Sequence, residues 1–275
     1  MSKKRKGIAL AVLGLLFVAL SVAGILLGSG PKQESIKEVM LDAVLHETNK
    51  VRLFGMAVNP SVLSALTVTG VLLFAAALLR IFVIPRFTRI PGRFQQLLET
   101  LVGFFDNLAK TNSPHRNGFL GAYIFSAGVY IFVGTVFELF GLQAVTVHGT
   151  SIALPAPLSD INGAIAMGCL SYLIIMSGGI AGNGVKGIGR TLKDFSLPIS
   201  MSFRLFGALL SGLLVTELVY YYLTLSFVLP VIVGVLFTLL HALIQTYVLV
   251  MLTSVFYGEA SEPAHKKAKK EKAVA

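Results

Sequence analysis

The sequence predicts an all-α integral membrane protein with five or six transmembrane helices, the last two forming a long antiparallel hairpin, plus an amphipathic helix. Three observations carry that prediction. Hydrophobic residues make up 55% of the 275 and charged residues only 13%, with a mean hydropathy of +0.80, more apolar than a soluble domain of this size. Apolar stretches of about 20 residues or more recur, the length that crosses a hydrocarbon core of about 30 Å. Basic clusters stand beside these stretches, as cytoplasmic flanks do. The net charge of +10 is therefore explained by topology, and its distribution argues against nucleic acid as a partner.

Residues 1–29 open with the basic run Lys3-Lys4-Arg5-Lys6 and continue as an apolar stretch. This is either a signal peptide cleaved after the small residues Ser21-Val22-Ala23 or a retained first span, the reading preferred here. Both keep the basic start in the cytoplasm and deliver residues 30–60 outside. That segment mixes charge signs and reads as a short extracytoplasmic helix and linker; His46 reads as an exposed loop histidine in preference to a ligand. Residues 61–258 form the membrane domain. Its first span, about 61–84, ends among Arg80, Arg86, Arg89 and Arg93 on the cytoplasmic side. Pro91 opens the amphipathic helix. Phe94, Leu97, Leu98, Leu101, Phe104, Phe105 and Leu108 recur at helical spacing in it, so it lies on the membrane or against neighbouring helices.

The next span, 119–141, runs outward and carries Glu138 near its outer end, a common place for an interfacial acid and a rarer one for an ion-path carboxylate. A loop punctuated by Pro and Gly follows, with room for a short strand pair or a re-entrant turn. Asp160 and Asn162 lead the span 161–181, whose Gly, Ala and Ser content permits close helix packing. Cys169, the one cysteine, excludes an internal disulfide and reads as a small packing residue. Gly182, Gly184 and Gly187 match G-x-G-x-x-G, yet the run follows a membrane span and lacks a βαβ frame, so a dinucleotide site is rejected. No G-x-x-x-x-G-K-[ST] is present; the chain has no such nucleotide site, and neither a cofactor nor a metal is expected. The tail, 259–275, carries five lysines and reads as a solvated cytoplasmic end.

The last two spans, 196–227 and 231–258, hold the chemistry. Arg204 stands in the first of them. A guanidinium at mid-span costs about 2.5–3.5 kcal/mol on insertion scales, and it cannot shed its proton. An ion path explains such a charge; snorkelling from a helix end, or pairing with a buried acid, is the structural alternative. On the second helix Thr238, His241 and Gln245 fall at i, i+3 and i+7, one face. Glu217 precedes Val228 by eleven residues and His241 follows it by thirteen. In a hairpin turning near Val228 the two lie at similar depth, able to pass protons or hold a small cation.

Ser200-Met-Ser-Phe-Arg204-Leu-Phe-Gly207, with Gln245 in the following helix, resembles subunit a of the rotary F-type ATP synthase. Ile90-Pro-Gly-Arg-Phe-Gln-Gln-Leu-Leu-Glu99 and Ser159-Asp-Ile-Asn162 fit the same pattern. Ordered similarity covers roughly residues 50–258. The resemblance implies a non-catalytic stator channel in a bacterial plasma membrane, with c-ring subunits, peripheral-stalk b subunits, the other ATP synthase subunits and the lipid bilayer as partners. Two offset half-channels would reach the ring carboxylate, and ion passage would be coupled to rotation and ATP synthesis. Arg204 takes the place of the family arginine, Gln245 that of the glutamine facing it. Three family features are missing. Ala208 stands where Asn is frequent, and Leu213 where an acid is frequent; the position seven before the glutamine, often His or Glu, is Thr238. The expectation is that Glu217 and His241 replace the usual pair, each one turn displaced, with Asp160 and Asn162 near the outer mouth and Asp194 and Ser200 bordering the inner half-channel. A transporter of another class, with Arg204 as an anion site, and a non-conducting scaffold subunit are the alternatives. The choice between H⁺ and Na⁺ is left open.

Overall fold

A computed structural model of the chain describes residues 50–53, 55–147, 149, 151–221 and 229–263. The first apolar stretch, the helix expected after it, the turn near Val228 and the basic tail beyond residue 263 lie outside the described residues. Among those described, five helices are long and apolar enough to cross a membrane. The protein is thus an all-α multi-pass membrane protein in its spanning part.

Strands β1 (Val51–Leu53) and β2 (Met56–Val58) form an antiparallel hairpin, Val51 opposite Val58, with Gly55 at φ 84° in its turn. The sequence reading took this stretch as linker. Three-residue strands are shorter than any two-residue alternation can reveal. Helix α1 (Pro60–Leu78) starts where Asn59 accepts a hydrogen bond from the Ser61 amide at 3.3 Å and Pro60 takes the first turn. The helical run continues through one π turn and one 3₁₀ turn to Arg86, where Pro85 prevents further propagation. Helix α2 (Arg93–Asn112) is the expected amphipathic helix. It buries Phe105 and Ala109 against α3 (Gly118–Phe137), with Phe105 edge-to-face on Phe125 at 5.5 Å. Phe94, Leu97 and Phe104 stay exposed, an apolar face suited to lipid.

Helix α3 tightens into a 3₁₀ turn at Glu138–Phe140, closed by Gly141 at φ 58°. Strands β3 (Gln143–Val145) and β4 (Ser151–Ala153) pair next, the strand pair that the loop had room for. Val51 bridges to Thr146, so the two hairpins meet at one end of the bundle, hereafter the hairpin end. Asp160 then caps α4 (Ile161–Asn183), accepting from the Asn162 amide at 2.7 Å and from the Asn59 side chain. The short helix α5 (Val185–Thr191) and a 3₁₀ turn (Leu192–Asp194) lead into α6 (Ser196–Tyr221) and then α7 (Leu229–Ser261). One apolar core runs through α2, α3, α4, α6 and α7, including Ile124, Ile131, Ile175, Met201, Leu205 and Val250.

Small residues bring these helices together, as expected where lipid supplies no hydrophobic contrast. A side chain at Gly187 would collide with the Gly179 backbone, and one at Gly182 with Ser261. Two glycines of the G-x-G-x-x-G run are therefore packing positions. Cys169 differs from its reading: it is exposed on the outside of α4. At the end opposite the hairpins, Asn183 Nδ2 donates to the carbonyls of Ala260 (3.1 Å) and Glu262 (3.0 Å), tying α4 to the end of α7. Asn183→Ala leaves those carbonyls unmatched and is expected to cost about 1–3 kcal/mol, read as an earlier thermal transition of the solubilised protein.

Candidate functional site

Arg204 is the ninth residue of the twenty-residue apolar stretch Ser196–Val215. Met201, Ser202, Leu205 and Leu209 are buried and fix the inward face of α6. The exposed positions Ser200, Phe203, Arg204, Gly207 and Ser211 form the opposite face. A side chain at Gly207 would meet nothing, so the helix is bare beside the guanidinium. The neighbouring face of α7 is exposed and apolar at Leu236, Leu240, Leu243 and Tyr247. A permanent charge thus stands mid-span on an apolar outer surface, able to meet an anionic group brought against it from outside the chain.

Two clefts flank this charge along α6. The first is narrow and lies toward the hairpin end; Thr135 and Glu138 of α3 and its 3₁₀ turn, Ala208, Leu209, Gly212 and Leu213 of α6, and Phe237, Thr238 and His241 of α7 line it. His241 Nδ1 lies 2.8 Å from the Phe237 carbonyl oxygen. A carbonyl only accepts, so Nδ1 carries the proton and the Nε2 lone pair is left for other chemistry. The ring stacks on Phe237, and a side chain at Gly212 would lie 3.9 Å from Nδ1. That is ordinary contact distance, and it shows how closely the imidazole lies against α6.

The second cleft lies toward the other end and holds about 350 Å³, lined by Ile175, Arg190, Thr191, Asp194, Leu197, Phe256, Glu259 and Ala260. Among the described residues, one guanidinium nitrogen of Arg190 is buried there without a hydrogen-bond partner. At 1.5 Å rise per residue, Ala208 stands about 6 Å beyond Arg204 and Leu197 about 10 Å before it. The two clefts are therefore offset along α6, and neither has Arg204 in its lining.

The family model described as ATP synthase A chain matches residues 62–258, a stretch containing Arg204, Gln245 and the whole first cleft. The chain belongs to the ATP synthase A chain family. Curated relatives include ATP synthase subunit a from two strains of Cereibacter sphaeroides, ATCC 17025 and ATCC 17029, each 27% identical over 188 residues, covering 64% of this chain and 72% of the relative.

In this ATP synthase A chain family member, the fold brings Thr238 and His241 together in the first cleft and puts Asp194 in the second. Gln245 is buried on α7, and its Oε1 has no hydrogen-bond partner among the described residues; Arg204 does not donate to it. Ser200 lies on the exposed face of α6, one turn before Arg204. Asp160 and Asn162 join the α4 cap to α1 and line neither cleft. Glu217 lies in α6, with its side chain outside the described set. Sequence reasoning missed Arg190 and Glu259 as cleft residues. Arg190 stands in the basic stretch that follows the 161–181 span, and Glu259 opens the tail, one residue past the family match. The signal available was the unbroken helical run of α7 to Ser261, which puts Glu259 on the same strip of helix as Phe256 and Ala260.

Proposed function

We propose that this chain is the stator ion channel of a rotary ATP synthase in a bacterial plasma membrane, with the hairpin end outside and the chain termini in the cytoplasm. One observation carries the reading: two separate clefts open on opposite sides of an exposed mid-span arginine. An ion entering from the hairpin end meets the first cleft and stops short of Arg204; the second cleft serves the other side. A ring of c subunits, each bringing a carboxylate past Arg204, would carry the ion between them. Arg204 attracts the deprotonated carboxylate and repels free cations, so the two clefts communicate only by rotation. Peripheral-stalk b subunits and the remaining ATP synthase subunits hold the stator in place.

The named residues divide accordingly. Arg204 is the stator charge, and Gln245 stands behind it on α7. Glu217, Thr238 and His241 serve the outer path, with Asp160 and Asn162 toward its mouth; Asp194 and Ser200 border the inner one. Arginine suits the stator role because lysine loses its proton when desolvated, whereas arginine does not. Paired substitution Glu217→Gln with His241→Ala is expected to slow ATP-driven pumping in inverted membranes without opening a leak. Unchanged pumping rates in that double variant would remove both residues from the path.

A further inference from the structure

We propose that Arg190 is a selectivity residue of the second cleft: its fixed positive charge keeps metal cations away from the carboxylates of Asp194 and Glu259 and leaves the cleft to protons. The inference rests on the stator-channel reading and bears on which ions reach the channel from one side. Its starting point is the charge pattern of the cleft. Asp194 and Glu259 line it from the 3₁₀ turn before α6 and from the end of α7. Both residues are exposed, so water reaches them. Arg190 lines the same cleft from α5, half-buried, with one guanidinium nitrogen buried and without a hydrogen-bond partner among the described residues. Among those residues it closes no ion pair with either carboxylate. Its charge is therefore not neutralised by a single partner and acts on the cleft as a whole.

Local structure explains why the guanidinium is held there. Helix α5 packs on α4 and also touches α7. Gly187 comes so close to the Gly179 backbone that a side chain would collide with it. The Tyr172 hydroxyl of α4 donates to the Thr191 carbonyl at 3.0 Å, and the Thr191 hydroxyl donates to the Gly187 carbonyl at 3.0 Å. Position 190 lies between these two anchored positions, so its backbone is fixed and only the side chain has freedom. That side chain is the long one that reaches the cleft.

The chemistry turns on what two carboxylates do in one cleft. Carboxylate oxygens are the ligands that Mg²⁺ and Ca²⁺ select. Asp194 and Glu259 alone would draw such a cation in and obstruct the path. Arg190 cancels one of the two negative charges and occupies the space with a cation of its own. It does not lose its proton, so the repulsion persists over the whole physiological pH range. Away from bulk water that repulsion is strengthened, and fixed positive charges beside narrow paths act as barriers to cations. A proton differs from a metal ion because it need not cross as a free charge. Bound to a carboxylate it forms a neutral acid, which the guanidinium does not repel. Only O–H bonds are made and broken, and each carboxylate that takes a proton gives it up again.

The test uses the assembled complex in inverted membranes, whose cytoplasmic face is outward, with free Mg²⁺ as the probe. ATP-driven proton pumping is followed as free Mg²⁺ rises through the millimolar range at constant MgATP. Each rate is taken relative to wild type at the same Mg²⁺, which cancels effects on ATP hydrolysis itself. Arg190→Gln is expected to become sensitive to Mg²⁺, its relative rate falling roughly threefold or more across that range. Arg190→Lys keeps the charge and should follow the wild-type curve. Adding Glu259→Gln to Arg190→Gln should abolish the Mg²⁺ sensitivity, whatever the rate in low Mg²⁺, which a purely structural role for Arg190 would not allow. An Arg190→Gln curve that overlays wild type overturns the inference. So does loss of assembly in that variant, or Mg²⁺ sensitivity that persists when Glu259→Gln is added. Arg204→Ala, measured alongside, separates the two levels: if it abolishes pumping while Arg190→Gln stays insensitive to Mg²⁺, the stator reading stands and only the Arg190 assignment falls.

Discussion

Arg204→Ala is expected to abolish ATP-driven ion pumping in inverted membranes while leaving the complex assembled. The expectation of intact assembly follows from exposure. Arg204 stands on the outer face of α6, beside a glycine with open space around it, so alanine there creates no cavity and breaks no packed contact. It also removes an insertion penalty of about 2.5–3.5 kcal/mol. The loss of pumping follows from the two offset clefts. On the proposed reading, without a fixed cation between them nothing draws a ring carboxylate into its charged form, and nothing bars ions from slipping past. A transmembrane potential of 100 mV is worth about 2.3 kcal/mol per charge, so even a narrow leak would dissipate the gradient that drives synthesis. Runs at low and high Na⁺ would also identify the ion. If the alanine variant pumps normally, the charge serves structure only, and the scaffold and transporter readings come forward.

Gly168→Leu is expected to damage the packing of α4 on α6 severely, with little folded subunit recovered from the membrane. An added Cβ at Gly168 would sit 2.9 Å from the Pro198 carbonyl oxygen and 3.0 Å from the Ser202 amide nitrogen. The Ser202 hydroxyl is nearer still; it could turn away, but the two backbone atoms of α6 could not. Overpacking of this kind costs about 1–3 kcal/mol where side chains can adjust and more where a helix axis must shift. Ser202 is two residues from Arg204, so any protein that survives should pump poorly as well. Cys169→Leu provides the control: the adjacent side chain is exposed and the same added bulk should be tolerated. Recovery and thermal transition of the solubilised complex measure both. A Gly168→Leu complex that melts like wild type would mean that α4 and α6 are not held at this distance.

Much of this was legible from residues alone, for identifiable reasons. A charge inside an apolar run is rare enough to mark Arg204 at sight, and the spacing of Thr238 and His241 placed them on one helix face that the structure does turn into a cleft. The expected spans at 61–84, 119–141 and 161–181 match α1, α3 and α4 with their 3₁₀ extensions to within a few residues, because long apolar stretches have strong boundaries. Glu138 shows where such reading stops. Its neighbours in sequence say only that it ends a helix; it shares a cleft lining with His241, about a hundred residues away, because α3 packs on α7. The hairpin at 51–58 was hidden for a different reason, its strands being too short for any periodicity. The glycine run at 182–187 was ambiguous by motif and became clear only when its close neighbours proved to be Gly179 and Ser261.

The outward-facing Arg204 has a consequence for how the complex is built. Alone in the bilayer, the subunit turns a guanidinium toward lipid and bears a penalty of about 2.5–3.5 kcal/mol. A carboxylate arriving from another subunit relieves it. At about 1.4 kcal/mol per factor of ten, that difference favours the accompanied subunit over the orphan by roughly a hundredfold or more. On the proposed reading, the charge that meets the ring in the finished machine thereby also disfavours the unfinished one, so that the subunit beside its partner is the more stable state.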